Sequence, residues 1–194
     1  MSSESLETRE RILQNTWKLL IDGQASAVRM SDIAKHTGIS RQAVYLHFPT
    51  RAELLTATTR YIDEVKDIDQ RLAESRSAST GLERLDAFVA AWGNYIPEIY
   101  GVANALMAMQ AKDVEAGAAW ADRMAAVRHG CEAAVAALKR DGRLTRELTE
   151  SEAADLLWCQ LSVEHWVHLR HRCGWTQTRY LEVLQQTLRT ALVD

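Results

Sequence analysis

One glycine constrains this chain more than any other residue. Gly38 stands between two short runs, each able to bury one face and too short to persist alone. Before it, Ile33 and Ala34 fall on the inner face of one segment. After it, Ile39 fills the gap, and Val44 and Phe48, four apart, share one face of a second helix. Glycine admits the left-handed backbone that a tight turn between helices needs. Ser40 follows with a hydroxyl placed to cap the second helix. Two helices joined by a three- to four-residue turn containing glycine make a helix-turn-helix, in which each helix completes the other's core.

The outer side of the second helix starts with Arg41 and Gln42, followed one turn later by Tyr45. In a helix-turn-helix the second helix lies in the DNA major groove with its N-terminal side chains on base edges. Charge agrees with that placement. The chain has a formal net charge of −3, yet between residues 29 and 51 Arg29, Lys35, Arg41 and Arg51 oppose only Asp32. Residues 56–194 carry 16 basic and 20 acidic side chains, so the negative excess lies away from the basic segment.

The rest of the chain reads as helix throughout. Leu6, Ile12, Leu13, Trp17 and Leu20 mark a first helix that Gly23 is expected to end, and Leu54 to Leu72 mark another after Pro49-Thr50. The small polar stretch Glu74 to Gly81 reads as a linker. Leu82 to Ile96 form a stripe that Pro97 is expected to close, and Ile99 to Met109 a shorter one. Trp120 to Leu138, Glu152 to His171 and Leu181 to Leu192 complete an all-α fold of about nine helices. No alternating strand pattern and no internal repeat occur. The expected division is a helix-turn-helix domain at 1–55 and a helical ligand-binding and dimerisation domain at 56–194.

The segment from Ser31 to Leu55, with Asp-Ile-Ala at 32–34, Gly-Ile-Ser at 38–40, the aromatic pair Tyr45 and Phe48, and Arg51 opening the next helix, resembles the TetR family of transcriptional regulators. The likeness covers roughly residues 8–55. It implies a homodimer that binds a palindromic operator in double-stranded DNA, most commonly a repressor, released by a small-molecule inducer. Arg41 and Gln42 would read base edges, since a guanidinium pairs with guanine and an amide with adenine. Tyr45, His47 and Arg51 would hold phosphates, and Ser31 a phosphate or a base edge. Ser40 belongs to the same surface. Arg29 stands where the family commonly has a capping threonine; it cannot cap in that way and is expected to add a phosphate contact.

The family also places the dimer in its last two helices. Projected as one continuous helix, Glu152 to His171 has apolar residues on two sides. Leu156, Cys159, Val163, Trp166 and Leu169 would face the chain's own domain. Leu157, Leu161, Glu164, His165 and His168 would face the partner, with Tyr180, Leu184 and Leu188 of the last helix. An inducer site is expected among Trp92, Tyr95, Tyr100, Met107, Trp120 and Met124, with Asn104 and Gln110 supplying orienting hydrogen bonds. Low charge in that stretch suggests an uncharged or weakly charged, mostly apolar ligand.

Other classes fit poorly. No Gly-rich phosphate loop, nucleophile elbow or metal box appears, so an enzyme is the remote alternative. His165, His168 and His171 do not share one helix face, which argues against a metal, and no cofactor is implied. Three cysteines without a CxxC pair suit a reducing compartment, and no apolar run reaches the ~20 residues of a membrane span. A cytoplasmic protein is expected. Activation, or response to a protein partner, remains open on the same fold.

Overall fold

A computed structural model describes residues 3–22 and 28–194. Helix accounts for 81% of the described residues, and their only β-type pairing is an isolated bridge between Leu144 and Val193. The expected end of the first helix at Gly23 lies outside the described residues. The chain packs as two compact units. One comprises Met1–Lys66 and Ile99–Met124, the other Asp67–Glu98 and Ala125–Asp194.

The first unit holds α1 (Ser3–Ile21), α2 (Met30–Thr37), α3 (Arg41–His47) and α4 (Arg51–Val65). It also takes the C-terminal part of α7 (Gly81–Gln110) and the N-terminal part of α8 (Val114–Arg140). Ile12, Leu20, Ile33, Val44, Phe48, Leu54 and Leu55 are buried in it. Thr16, Thr37 and Thr58 are buried too, and each hydroxyl donates to the carbonyl four residues back, so no polar atom is stranded there. The division expected after residue 55 falls inside α4.

The second unit holds α5 (Ile68–Arg71), α6 (Ala73–Ser77), the start of α7, most of α8, α9 (Glu150–Gln160), α10 (Val163–Val167) with a π turn at His168–Arg172, and α11 (Gln177–Leu192). The expected linker is partly helical: Ser75 is buried and donates to the carbonyl of Arg84 at 3.0 Å.

Pro97 does not close its helix. α7 continues through it to Gln110. A proline lacks the N–H that would bond the carbonyl four residues back, which is that of Gly93. Here the Gln177 side chain donates to that carbonyl at 2.9 Å, while Trp166 Nε1 donates to Gln177 Oε1 at 3.0 Å. A tertiary contact restores what the sequence removed.

The expected dimer face also changes. Leu157, Leu161, Tyr180, Leu184 and Leu188 are buried within their own chain, each 3% exposed or less. They form the inner face of α9 and α11 and cannot be the surface a partner meets. Leu156 is half-buried and Cys159 exposed. Of the polar residues expected at that face, Glu164 and His168 are exposed and His165 is half-buried. Val163 and Trp166 are buried as expected, so the two sides are exchanged in α9 alone, because Glu152 to His171 is not one helix. α9 ends at Gln160 with Leu161 as its C-cap, Ser162 turns extended at φ −65°, ψ 148°, and its hydroxyl accepts from His165 N to start α10. A 100° projection carried across that break holds for α10 and loses its phase in α9.

Candidate nucleic-acid interface

The turn forms as its residues require. Gly38 sits at φ 72°, ψ 31°, with its N–H on the last carbonyls of α2. Ser40 caps α3, its hydroxyl accepting from Ala43 N at 3.1 Å. Arg29 occupies the N-cap of α2 without a side-chain bond, and its carbonyl alone takes Asp32 N and Ile33 N. Its side chain is left exposed.

With Val44 and Phe48 buried, α3 turns Arg41, Gln42, Tyr45 and Leu46 outward. Arg41 Nη2 donates to the Tyr45 hydroxyl at 3.1 Å, and its guanidinium lies 5.4 Å from the Tyr45 ring centre. The two side chains therefore present their polar groups together on the exposed face of α3. Leu46, 81% exposed, was not anticipated. An apolar side chain on this face suits a thymine methyl. Its position beside Tyr45, off the Val44–Phe48 face, is the signal that could have found it. Ser31 is exposed and His47 half-buried. Arg29, Ser31, Arg41, Tyr45 and Arg51 border one concavity, together with Pro49 and Thr50. Gln42 and His47 do not line it.

Arg51 is placed differently from the other cations. Its Nε donates to Val28 O at 2.6 Å, and its two terminal nitrogens reach Asp113 at 2.8 and 2.9 Å and Glu115 at 3.2 Å. The Arg51 side chain is 15% exposed. Burial alone would lower its pKa, but the two carboxylates outweigh that and raise it. Bonding to Arg51 in turn holds the Asp113 carboxyl below its ordinary value. In this conformation the Arg51 guanidinium is engaged inside the protein.

Two further ion pairs join α4 to α8, Arg60 to Asp122 at 3.0 Å and Asp63 to Arg123 at 3.1 Å. Partner numbers rise together along both helices, so α4 and α8 run in the same direction. Between them and α7 lies a cavity of about 20 Å³ lined by Thr59, Ile62, Asp63, Ile99, Val102, Ala103, Leu106, Trp120 and Arg123. That is room for about one water molecule. Of the residues expected to line a ligand site, Trp120 alone borders this cavity. Trp92 is buried and donates to Leu161 O at 2.8 Å, and Tyr95 is buried beneath the Arg71 guanidinium. Tyr100, Met107 and Met124 are half-buried, while Asn104 and Gln110 are exposed. Aromatic and methionine content does not fix how a helix is rotated, and so not which of these side chains borders a cavity. Among the described residues, no group of His, Cys, Asp and Glu could hold a metal ion, and no helix is long and apolar enough to cross a membrane.

Comparison with known proteins converges on the same segment. Residues 12–58 match the sequence model for bacterial regulatory proteins of the tetR family. The chain is 30% identical over 64 residues to the nucleoid occlusion factor SlmA of Marinomonas sp., covering 33% of this chain and 32% of that protein. It is 32% identical over 72 residues to the HTH-type transcriptional regulator TtgR of Pseudomonas putida, covering 37% and 34%. The matched stretch thus spans about a third of each of these relatives. The fold extends further. The transcriptional regulator FadR from Bacillus subtilis, solved with stearoyl-CoA, superposes with a TM-score of 0.74 at 12% identity, over 94% of this chain and 98% of that one.

Proposed function

We propose that this chain, whose residues 12–58 match the tetR-family model, is a TetR-family DNA-binding transcriptional regulator and a repressor, holding a palindromic operator as a homodimer and letting go when a small, mostly apolar inducer binds. The observation that carries this reading is the outward set Arg41, Gln42, Tyr45 and Leu46 on a helix whose inner face is packed. Two copies of such a helix, one turn of DNA apart (~34 Å), would read both halves of a palindrome.

The inducer enters between α4, α7 and α8. The cavity there holds about one water as it stands, so a larger ligand must part its walls, and α4 is the wall joined to α3 through Pro49-Thr50. A ligand shifts the equilibrium only by its preference for the opened state. Dimerisation uses the sides of α9 and α11 that the chain leaves uncovered, around Leu156, Cys159 and Val183, in place of Leu157 and Leu161.

The test is fluorescence anisotropy with DNA from upstream of the chain's own gene. Replacing Arg41 and Gln42 by alanine should weaken binding more than 100-fold, since each lost base contact costs about 1–3 kcal/mol and the dimer makes it twice. Unchanged affinity would remove the proposal. Light scattering on Leu156→Glu should report a monomer where the parent chain is a dimer.

A further inference from the structure

Two acids open α8, and they are used differently. Asp113 immediately precedes the helix, and its Oδ1 accepts from Ala116 N at 3.1 Å, as a helix cap does. The same carboxylate takes both terminal nitrogens of Arg51, at 2.8 and 2.9 Å. Glu115 instead reaches across to α4. Its Oε2 accepts from Arg51 Nη1 at 3.2 Å and its Oε1 from Ala52 N at 3.3 Å. Glu115 also borders the concavity that Arg29, Arg41 and Arg51 line beside Tyr45. A carboxylate is out of place on a face offered to a polyanion, because every phosphate that approaches is repelled.

We propose, building on the DNA-binding reading above, that the Glu115 carboxylate occupies the seat of a DNA phosphate, so that the duplex backbone and the start of α8 compete for Arg51. A carboxylate and a phosphodiester each present two anionic oxygens on one centre. The donors here, a guanidinium N–H and an N–H in the first turn of a 15-residue helix, suit either. The two acids then have separate tasks. Arg51 Nε is held by Val28 O at 2.6 Å, and Asp113 takes one bond from each terminal nitrogen, which fixes the plane of the guanidinium. Nη1 carries two hydrogens and so serves Glu115 as well. Glu115 is the partner that yields. Its contacts are the longest of the cluster, and its side chain is 44% exposed against 27% for Asp113. It can swing into water while Asp113 keeps Arg51 aimed, and the guanidinium passes from one anion to another without being left unpaired.

Fastening α4 to α8 does not account for Glu115. Arg60 to Asp122 and Asp63 to Arg123 join the same two helices farther along, and none of the four borders the concavity. An ion pair as exposed as that of Glu115 adds about 0–1 kcal/mol to such a contact. Withdrawing Glu115 into water, where salt screens it, relieves repulsion and competition together. The phosphate contact expected of Arg51 is thus kept in reserve, and α8 sets a threshold for any duplex, whatever its sequence.

Fluorescence anisotropy on the full chain, with the upstream DNA and with an unrelated duplex of equal length, tests the assignment. Glu115→Gln should tighten both by the same factor, about five- to tenfold, because a phosphate contact carries no sequence and each half-site loses a competitor of surface ion-pair strength. Glu115→Asp keeps the charge but draws it back by one methylene. It should tighten both duplexes to a smaller extent, which repulsion at a distance would not produce. In an Arg51→Gln background, shown by thermal shift to be folded, neither substitution should change affinity; Glu115→Asp carries the test if that background does not fold. A gain confined to the upstream DNA, no gain from Glu115→Gln or from Glu115→Asp, or a gain that persists without Arg51 overturns the assignment. The two readings fail separately. If alanine at 41 and 42 leaves affinity intact while Glu115→Gln tightens both duplexes, base reading by α3 falls and the phosphate seat stands. If those alanines weaken binding and Glu115→Gln gains nothing, the reverse holds.

Discussion

The turn between α2 and α3 and the break between α9 and α10 solve the same problem with different signals. Each interrupts a helix so that two short pieces can face different neighbours, and each restarts with a serine cap, Ser40 or Ser162. The first carries a glycine at φ 72° and a basic exposed face, so it is visible in the sequence. The second has neither glycine nor proline, and Leu161 passes through it with an ordinary backbone. Pro97 is the converse, a helix-breaking residue inside an unbroken helix because Gln177 answers for the missing N–H. Local chemistry decides where nothing distant intervenes; a single long-range hydrogen bond can cancel or conceal it.

Two glycines put that contrast to its hardest test. A Cβ at Gly81 would lie 2.5 Å from the Leu138 nitrogen and 2.6 Å from the Ala137 carbonyl carbon, so backbone must move. Gly81→Ala should cost about 3 kcal/mol or more and lower Tm by about 10 °C in a chain of this size. A Cβ at Gly38 meets nothing within 4 Å, and only its left-handed backbone resists substitution. Gly38→Ala should therefore cost about 1–2 kcal/mol. Equal losses in urea unfolding would erase the distinction between a glycine kept for space and one kept for conformation.

The next effect concerns Pro97. Gln177→Leu strips a donor from the Gly93 carbonyl and an acceptor from Trp166 Nε1, and should cost about 2 kcal/mol. Adding Pro97→Ala restores an N–H four residues after Gly93 and should recover part of that loss. A double-mutant cycle with no coupling between positions 97 and 177 would show that Gln177 does not stand in for the backbone donor. The two serine caps come below this. Ser40→Ala and Ser162→Ala should each cost about 1 kcal/mol, equal in stability although only one was visible beforehand.

Much of the recognition end was legible because its requirements are local. Gly38, Ser40, Val44 and Phe48 determine both the turn and the side of α3 left exposed. Leu46 escaped because an apolar residue is ordinarily assigned to the core, although its position off the Val44–Phe48 face marks it as exposed. The cavity between α4, α7 and α8 was not legible residue by residue. Trp92 and Trp120 are alike in sequence, yet one is held in the core by the Leu161 carbonyl and the other lines the cavity. Which becomes which depends on how α7 and α8 rotate, and that is set by contacts such as the Asp63–Arg123 pair, sixty residues apart. The faces of α9 were misassigned for a third reason, a phase lost across two residues.

The Arg51 cluster yields the smallest expected effect and a sign that can be worked out. Asp113 is held below its ordinary pKa chiefly by hydrogen bonding to Arg51, and its Oδ1 also accepts from Ala116 N at the start of α8. A carboxyl lowered in the folded state binds protons more readily once unfolded. Its stabilisation is thus present above the unfolded value near 3.9 and disappears as pH falls through the lower folded value. Asp113 is 27% exposed, so solvent screens the effect and keeps it modest. Asp113→Asn should leave an amide oxygen for Arg51 and Ala116 while removing the titration. The expected outcome is a slightly lower Tm at pH 7 and a gap between variant and parent that narrows as pH falls from 5 toward 3. A gap that widened on acidification would mean that Asp113 gains protons on folding, and that Arg51 is not its governing partner.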